Sequence, residues 1–144
     1  VPLLAQQLEA AGFKVTQDVR EYNQIESEAL AGKFHAVLVS RSTVLDSGDA
    51  VAYMTADFSS SGSYSMSGLH DEKVDAAISQ AAAAEPGDER RKAIMAAEQA
   101  ILASGAAIPL AHERVIQGEA AGVTGAQRDP GERALITSAT TVKK

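Results

Sequence analysis

The sequence predicts an α/β domain, a mostly parallel sheet flanked by helices, and three observations carry that expectation. Phe13, Val15, Gln17 and Val19 alternate with Lys14, Thr16 and Asp18, the two-residue period of a strand with one face turned inward. Residues 34–40, FHAVLVS, are a nearly continuous apolar run, as expected of a strand covered on both faces. Residues 24–31 between them read as a helix, and strand, helix, strand in that order argues for a parallel pair joined by a right-handed crossover.

Taken in order, Leu3 to Ala11 is a short helix with Leu4, Leu8 and Ala11 on one face and Gly12 as its stop. No strand precedes it, so the sheet is expected to keep an unpaired edge and the chain to self-associate through it. Asn23 caps the helix over Gln24 to Ala31, which Gly32 ends. From Arg41 to Gly68 the chain is rich in Ser, Gly and Asp. Ala50 to Ala56 there spans one or two helical turns, and Ser59 to Gly68 reads as loop. Asp71 then caps a helix whose Val74, Ala77, Ile78 and Ala81 share one face. Glu85-Pro86-Gly87 stops it, because proline lacks an N–H and crowds the preceding turn. A second helix starts near Asp88, turns Ile94, Ala97, Ile101 and Leu102 inward, and is closed by Gly105. Ala106 to Leu110 has the length of a buried strand, and Arg133 to Thr137 reads as a last one.

At 144 residues and 45% hydrophobic content the chain is long and apolar enough for one folded domain. Aromatics are 4% with no Trp, so the core must be built from Ala, Val, Ile and Leu. The net charge of −6 and the lack of a basic stripe disfavour nucleic acid, whose phosphates call for clustered Lys and Arg. The absence of cysteine excludes disulfides, thiolate zinc sites and a Cys nucleophile. No run approaches the roughly 18 apolar residues of a membrane span. Val1-Pro2 enters a helix almost directly, which reads as the start of a cut or mature fragment.

The motif order across residues 74–113 is specific: Val74-Asp75, a small-residue helix, the Glu85-Pro86-Gly87 turn, Glu89-Arg90, Glu98 to Leu102, then AAIPLAHE. It resembles the C-terminal lobe of extracytoplasmic solute-binding proteins of ABC importers, in the branch that captures oligopeptides, dipeptides and nickel complexes. Asp75, Arg91, Gln99, Ile108, Pro109 and Leu110 fall at the family's positions, and the likeness reaches back to about Leu3. It implies a partial type II periplasmic-binding-protein-like lobe over residues 1–122, with residues 123–144 crossing back towards a missing lobe and a hairpin at the C-terminal end. It also implies capture of a short peptide or similar amine-bearing solute by closure of two lobes, delivery to ABC permease subunits, no cofactor, and a periplasmic or lipoprotein-anchored location. Nickel chelates and other acidic small solutes are alternatives within the family.

On this resemblance Asp46, in the LDSGD turn of Leu45 to Asp49, meets the ligand's free ammonium. An ion pair held away from water is strong, and an Asx-turn acceptor is the plainer reading of an Asp beside Gly. Asp49, its companion, reads mainly as structural. The chain departs from the family at Arg41, where an aromatic is usual, at Ala50, usually proline, and at Ser65, commonly Asn. Arg41 is suited to a ligand carboxylate or phosphate; the plainer readings are a solvated arginine or a partner for Asp46 or Asp49. Tyr64 stacks on ligand or covers its own lobe. Asp75 and Arg91 read as an intra-lobe salt bridge or cap, and Glu89 to Lys92 as a solvated helix start.

Catalytic and metal chemistry find no pattern. His35, His70 and His112 sit on separate elements, and Ile116 occupies the position of the second His of HExxH. No nucleophile elbow or phosphate loop occurs. The reading is therefore a non-enzymatic binding protein, with a non-catalytic interaction or structural α/β domain as its rival.

Overall fold

The computed structural model describes residues 1–41, 48–112, 116, 118–128 and 134–143. Five helices dominate it: α1 (Pro2–Ala10), α2 (Tyr22–Leu30), α3 (Ala50–Phe58), α4 (Glu72–Ala83) and α5 (Asp88–Ala103). Four two-residue strands follow, β1 (Val123–Thr124), β2 (Gln127–Arg128), β3 (Ala134–Leu135) and β4 (Thr141–Val142). β1 pairs with β4 and β2 with β3, both antiparallel, with Val123 opposite Val142 and Gln127 opposite Leu135.

The core lies where α3, α4 and α5 meet. Asp71 caps α4 as its sequence predicts, its carboxylate accepting from the Lys73 and Val74 N–H groups at 2.8 and 3.3 Å. The apolar face of α4 buries Val74, Ile78 and Ala81, with Ala77 partly covered, against Ala97 and Ile101 of α5 and Val51 of α3. Ala81 and Ala97 are both fully enclosed, and side chains this small let the two helices approach closely. Met54, Phe58, Leu69 and Ile94 close the cluster from its edge. Leu102, expected inward, is instead 40% exposed. Gly105 follows the end of α5 at φ 75° and donates to the Leu102 carbonyl at 3.1 Å, a conformation that a side chain would strain.

The α/β prediction is overturned. The mostly parallel, helix-flanked sheet of a type II binding-protein-like lobe is not formed among the described residues. Residues 13–19, 34–40 and 106–110, expected to be its strands, have no regular secondary structure and belong to no ladder among the described residues. Residues 14–20 and 34–41 make no backbone hydrogen bond to another described residue. Several of their large apolar side chains face solvent: Phe13 is 64% exposed, Leu38 53% and Ile108 79%. Alternation gives a segment one apolar face, whereas a ladder also needs a neighbour in register. The expected edge-mediated self-association loses the sheet on which it was argued.

Smaller corrections follow the same lines. The N-cap of α2 is Glu21 with no side-chain hydrogen bond, and Asn23 lies inside the helix. α3 is a full nine residues. Of the last predicted strand, Ala134–Leu135 is β3, and Arg133 lies outside the described residues. No helix among the described residues is long and apolar enough to cross a membrane.

Candidate functional site

The site is built on α3. Tyr53 and Asp57 stand four residues apart and so share a helical face. The loop after α3 doubles back over that helix: Tyr64 N–H donates to the Ala56 carbonyl at 2.9 Å, and Gly62 N–H to the Ser59 carbonyl at 2.9 Å. Gly62 is required there, because a Cβ would stand 2.4 Å from the Ala56 carbonyl oxygen. From α4, Asp75 accepts the Ser60 N–H at 2.8 Å and pins the loop from the other side. The loop is thus a strap with a fixed path, and it places Tyr64 across from Tyr53.

Arg41 enters this space from the irregular stretch that follows α2. Its guanidinium carbon lies 5.1 Å from the Tyr53 ring centroid and 4.6 Å from that of Tyr64, within cation–π range of both. One terminal nitrogen donates to Asp57 Oδ1 at 3.1 Å. Asp57 is 9% exposed. Burial pushes its carboxyl above the usual range, against the pull of Arg41 and Tyr53. For Arg41, burial works against the charge, but Tyr53 and Asp57 outweigh it and hold the guanidinium more firmly protonated. Burial also raises the Tyr53 hydroxyl, so Tyr53 stays neutral and its ring keeps an electron-rich face.

Of the ligand-facing residues expected from sequence, Arg41 and Tyr64 are brought together. Asp46 lies outside the described residues. Asp49 is 8 residues from Arg41 in sequence and has a different partner: it caps α3, accepting the Val51 N–H at 3.0 Å through Oδ1 and an Arg90 terminal N–H through Oδ2. Those bonds, that to Val51 first, hold its carboxyl below the usual range. Arg41 pairs with Asp57, a residue that the sequence reading did not single out.

Arg90 was expected in a solvated run and is instead a tie between helices. Its Nη1 donates to the Ala81 and Ala84 carbonyls at 2.7 and 3.1 Å, closing the C-terminal end of α4, while Nη2 reaches Asp49. Arg91 makes only an exposed pair with Asp88 at 3.0 Å. The signal for Arg90 was its place one turn after the Glu85-Pro86-Gly87 turn, where the chain has just reversed past the end of α4. The signal for Tyr53 and Asp57 was their four-residue spacing.

A second recess of about 210 Å³ opens between the start of α4 and the end of α5, lined by Asp71, Lys73, Val74, Ala100, Ala103 and Ser104. It is small for an organic ligand. His35, His70 and His112 are each exposed, and no three potential metal ligands converge among the described residues. Compared with protein-family models, with curated proteins and with solved structures, the chain has no significant match.

Proposed function

We propose that this chain is a solute-capturing component of an ABC importer, taking up a short peptide or another amine-bearing small solute outside the cytoplasm and handing it to permease subunits. The motif order from Val74 to Glu113 supports the importer reading. The observation that carries solute capture is the convergence of Arg41 and Tyr64, named from sequence as ligand-facing, with Tyr53 and the buried Asp57 at one place. Two aromatic faces and a desolvated carboxylate favour a cation noncovalently, which suits an amine-bearing ligand. In this mechanism ligand is buried by closure against a companion lobe, and no bond is made or broken. Calorimetric titration with mixed dipeptides and oligopeptides, beside Asp46→Ala, tests it: saturable heat is expected from the parent chain, and its loss in the variant places the ammonium at Asp46. Absence of heat with every peptide overturns the peptide reading.

A second reading, a non-catalytic interaction domain, is favoured by the solvent-facing Phe13, Val19, Leu38, Val39, Ile108 and Leu110. Exposed apolar side chains of this size are the kind that association covers when they gather in one patch. Sedimentation velocity over a wide concentration range separates the two: a concentration-dependent dimer supports this reading, and a monomer throughout removes it.

A further inference from the structure

We infer that Tyr53, Tyr64 and Asp57 form a binding site for a guanidinium or ammonium group, and that Arg41 is an internal occupant which a cationic solute displaces. This rests on the capture reading above and changes it in one respect. The carboxylate that meets the ligand's cation is Asp57, on the floor of the cage, and Arg41 is its competitor and not a contact for an anion.

Four observations carry the inference. The cage is complete without Arg41: two tyrosine rings stand within 4.6 and 5.1 Å of the guanidinium carbon, and the carboxylate at its base is buried. Each wall is held by groups other than Arg41. Tyr53 and Asp57 share one face of α3, and Tyr64 is fixed by its bond to the Ala56 carbonyl and by the Asp75 tie at Ser60. Arg41, by contrast, is fastened among the described residues through its side chain alone. Its side chain is 35% exposed, and residues 34–41 make no backbone hydrogen bond to another described residue. Asp57 binds its proton more tightly than an ordinary carboxyl, so its ionised form benefits from whichever cation lies above it. An anion would gain little at a guanidinium already neutralised by Asp57, on a chain of net charge −6.

The consequence is a sign reversal that separates an internal occupant from a ligand contact. A tethered side chain competes at an effective concentration of the order of millimolar. Apparent affinity for an external cation is reduced by the fraction of time the cage is open, so emptying it strengthens binding, by about tenfold if it is open a tenth of the time. A ligand-contacting Arg41 would lose affinity on removal.

The experiment is NMR titration of the full chain with methylguanidinium and, separately, methylammonium, at constant ionic strength. Arg41→Ala is expected to bind about tenfold more tightly than the parent, and Asp57→Asn to abolish binding. The two probes show which cation the cage prefers. In the parent chain, saturation with the preferred probe should move the Arg41 Nε–H resonance to its solvent-exposed position, a readout that needs no variant to fold. An unmoved Arg41 resonance at saturation overturns the inference, as does Arg41→Ala binding no better than the parent, or binding that survives Asp57→Asn. Cage binding of these probes with no peptide binding would leave the inference standing and remove the peptide reading.

Discussion

Arg90, Asp49 and Asp75 are polar side chains that tie the helices and the loop after α3 together. Arg90→Ala leaves the Ala81 and Ala84 carbonyls without their donor at a half-buried helix end, and a loss of about 1–3 kcal/mol is expected in urea unfolding. Arg90→Lys should recover only part, because one ammonium cannot hold the fork-shaped set of bonds to α4 and Asp49 together. Asp75 and Asp49 each contribute acid sensitivity to the fold. Hydrogen bonds from Ser60 hold the Asp75 carboxyl low, and those from Val51 and then Arg90 hold Asp49 low. Their folded values lie below the unfolded value of about 3.9, so their contribution is fully present above it and lost as pH falls through the folded values. Asp57 has the opposite sign: raised by burial, it favours the folded state at low pH, and that contribution is lost as pH rises through its folded value. Asp75→Asn keeps an oxygen for the Ser60 N–H and removes the charge. The acid limb of the urea midpoint against pH should therefore flatten in Asp75→Asn, and an unchanged limb would contradict this assignment.

At the scale of elements, the α4–α5 pair rests on a short list of side chains. Ile78→Ala should cost about 2–4 kcal/mol, because the enclosed site cannot collapse around the missing atoms. Leu102→Ala, on the exposed side of α5, should stay within about 0.5 kcal/mol. Equal losses in urea unfolding would show that the helices pack differently. These two helices were legible in the sequence because Val74, Ala77, Ile78 and Ala81 repeat at helical spacing and Asp71 and Gly105 mark the ends, all local signals. α3 was underestimated because Asp49, whose capping bond defines its start, sits in a Ser/Gly/Asp-rich stretch that reads as loop. Of the site, Arg41 and Tyr64 were named only through the expected resemblance, with no local pattern in the sequence to mark them. Tyr53 and Asp57 needed the helix to be recognised first, since only a helix puts residues four apart side by side.

For the whole molecule, the sequence pattern and the structure part at the sheet. Phe13 to Val19 and Phe34 to Ser40 have strand-like composition, but pairing is a long-range property that neither segment encodes alone. Slow amide exchange should therefore be confined to α3, α4 and α5, with residues 14–20 and 34–41 exchanging quickly. Slow exchange across residues 34–40 would reveal a ladder. The helical core then acts as a platform, and the segment ending at Arg41 is fastened to it through the guanidinium in its tyrosine cage. That arrangement links capture of a cation to release of a segment, and it makes Asp57 the residue on which the account turns. The most direct test is calorimetric titration of the full chain with arginine- and lysine-bearing dipeptides, run on the parent, Arg41→Ala and Asp57→Asn. The account predicts saturable binding by the parent, tighter binding by Arg41→Ala and none by Asp57→Asn. Binding weakened by Arg41→Ala and indifferent to Asp57→Asn would contradict it.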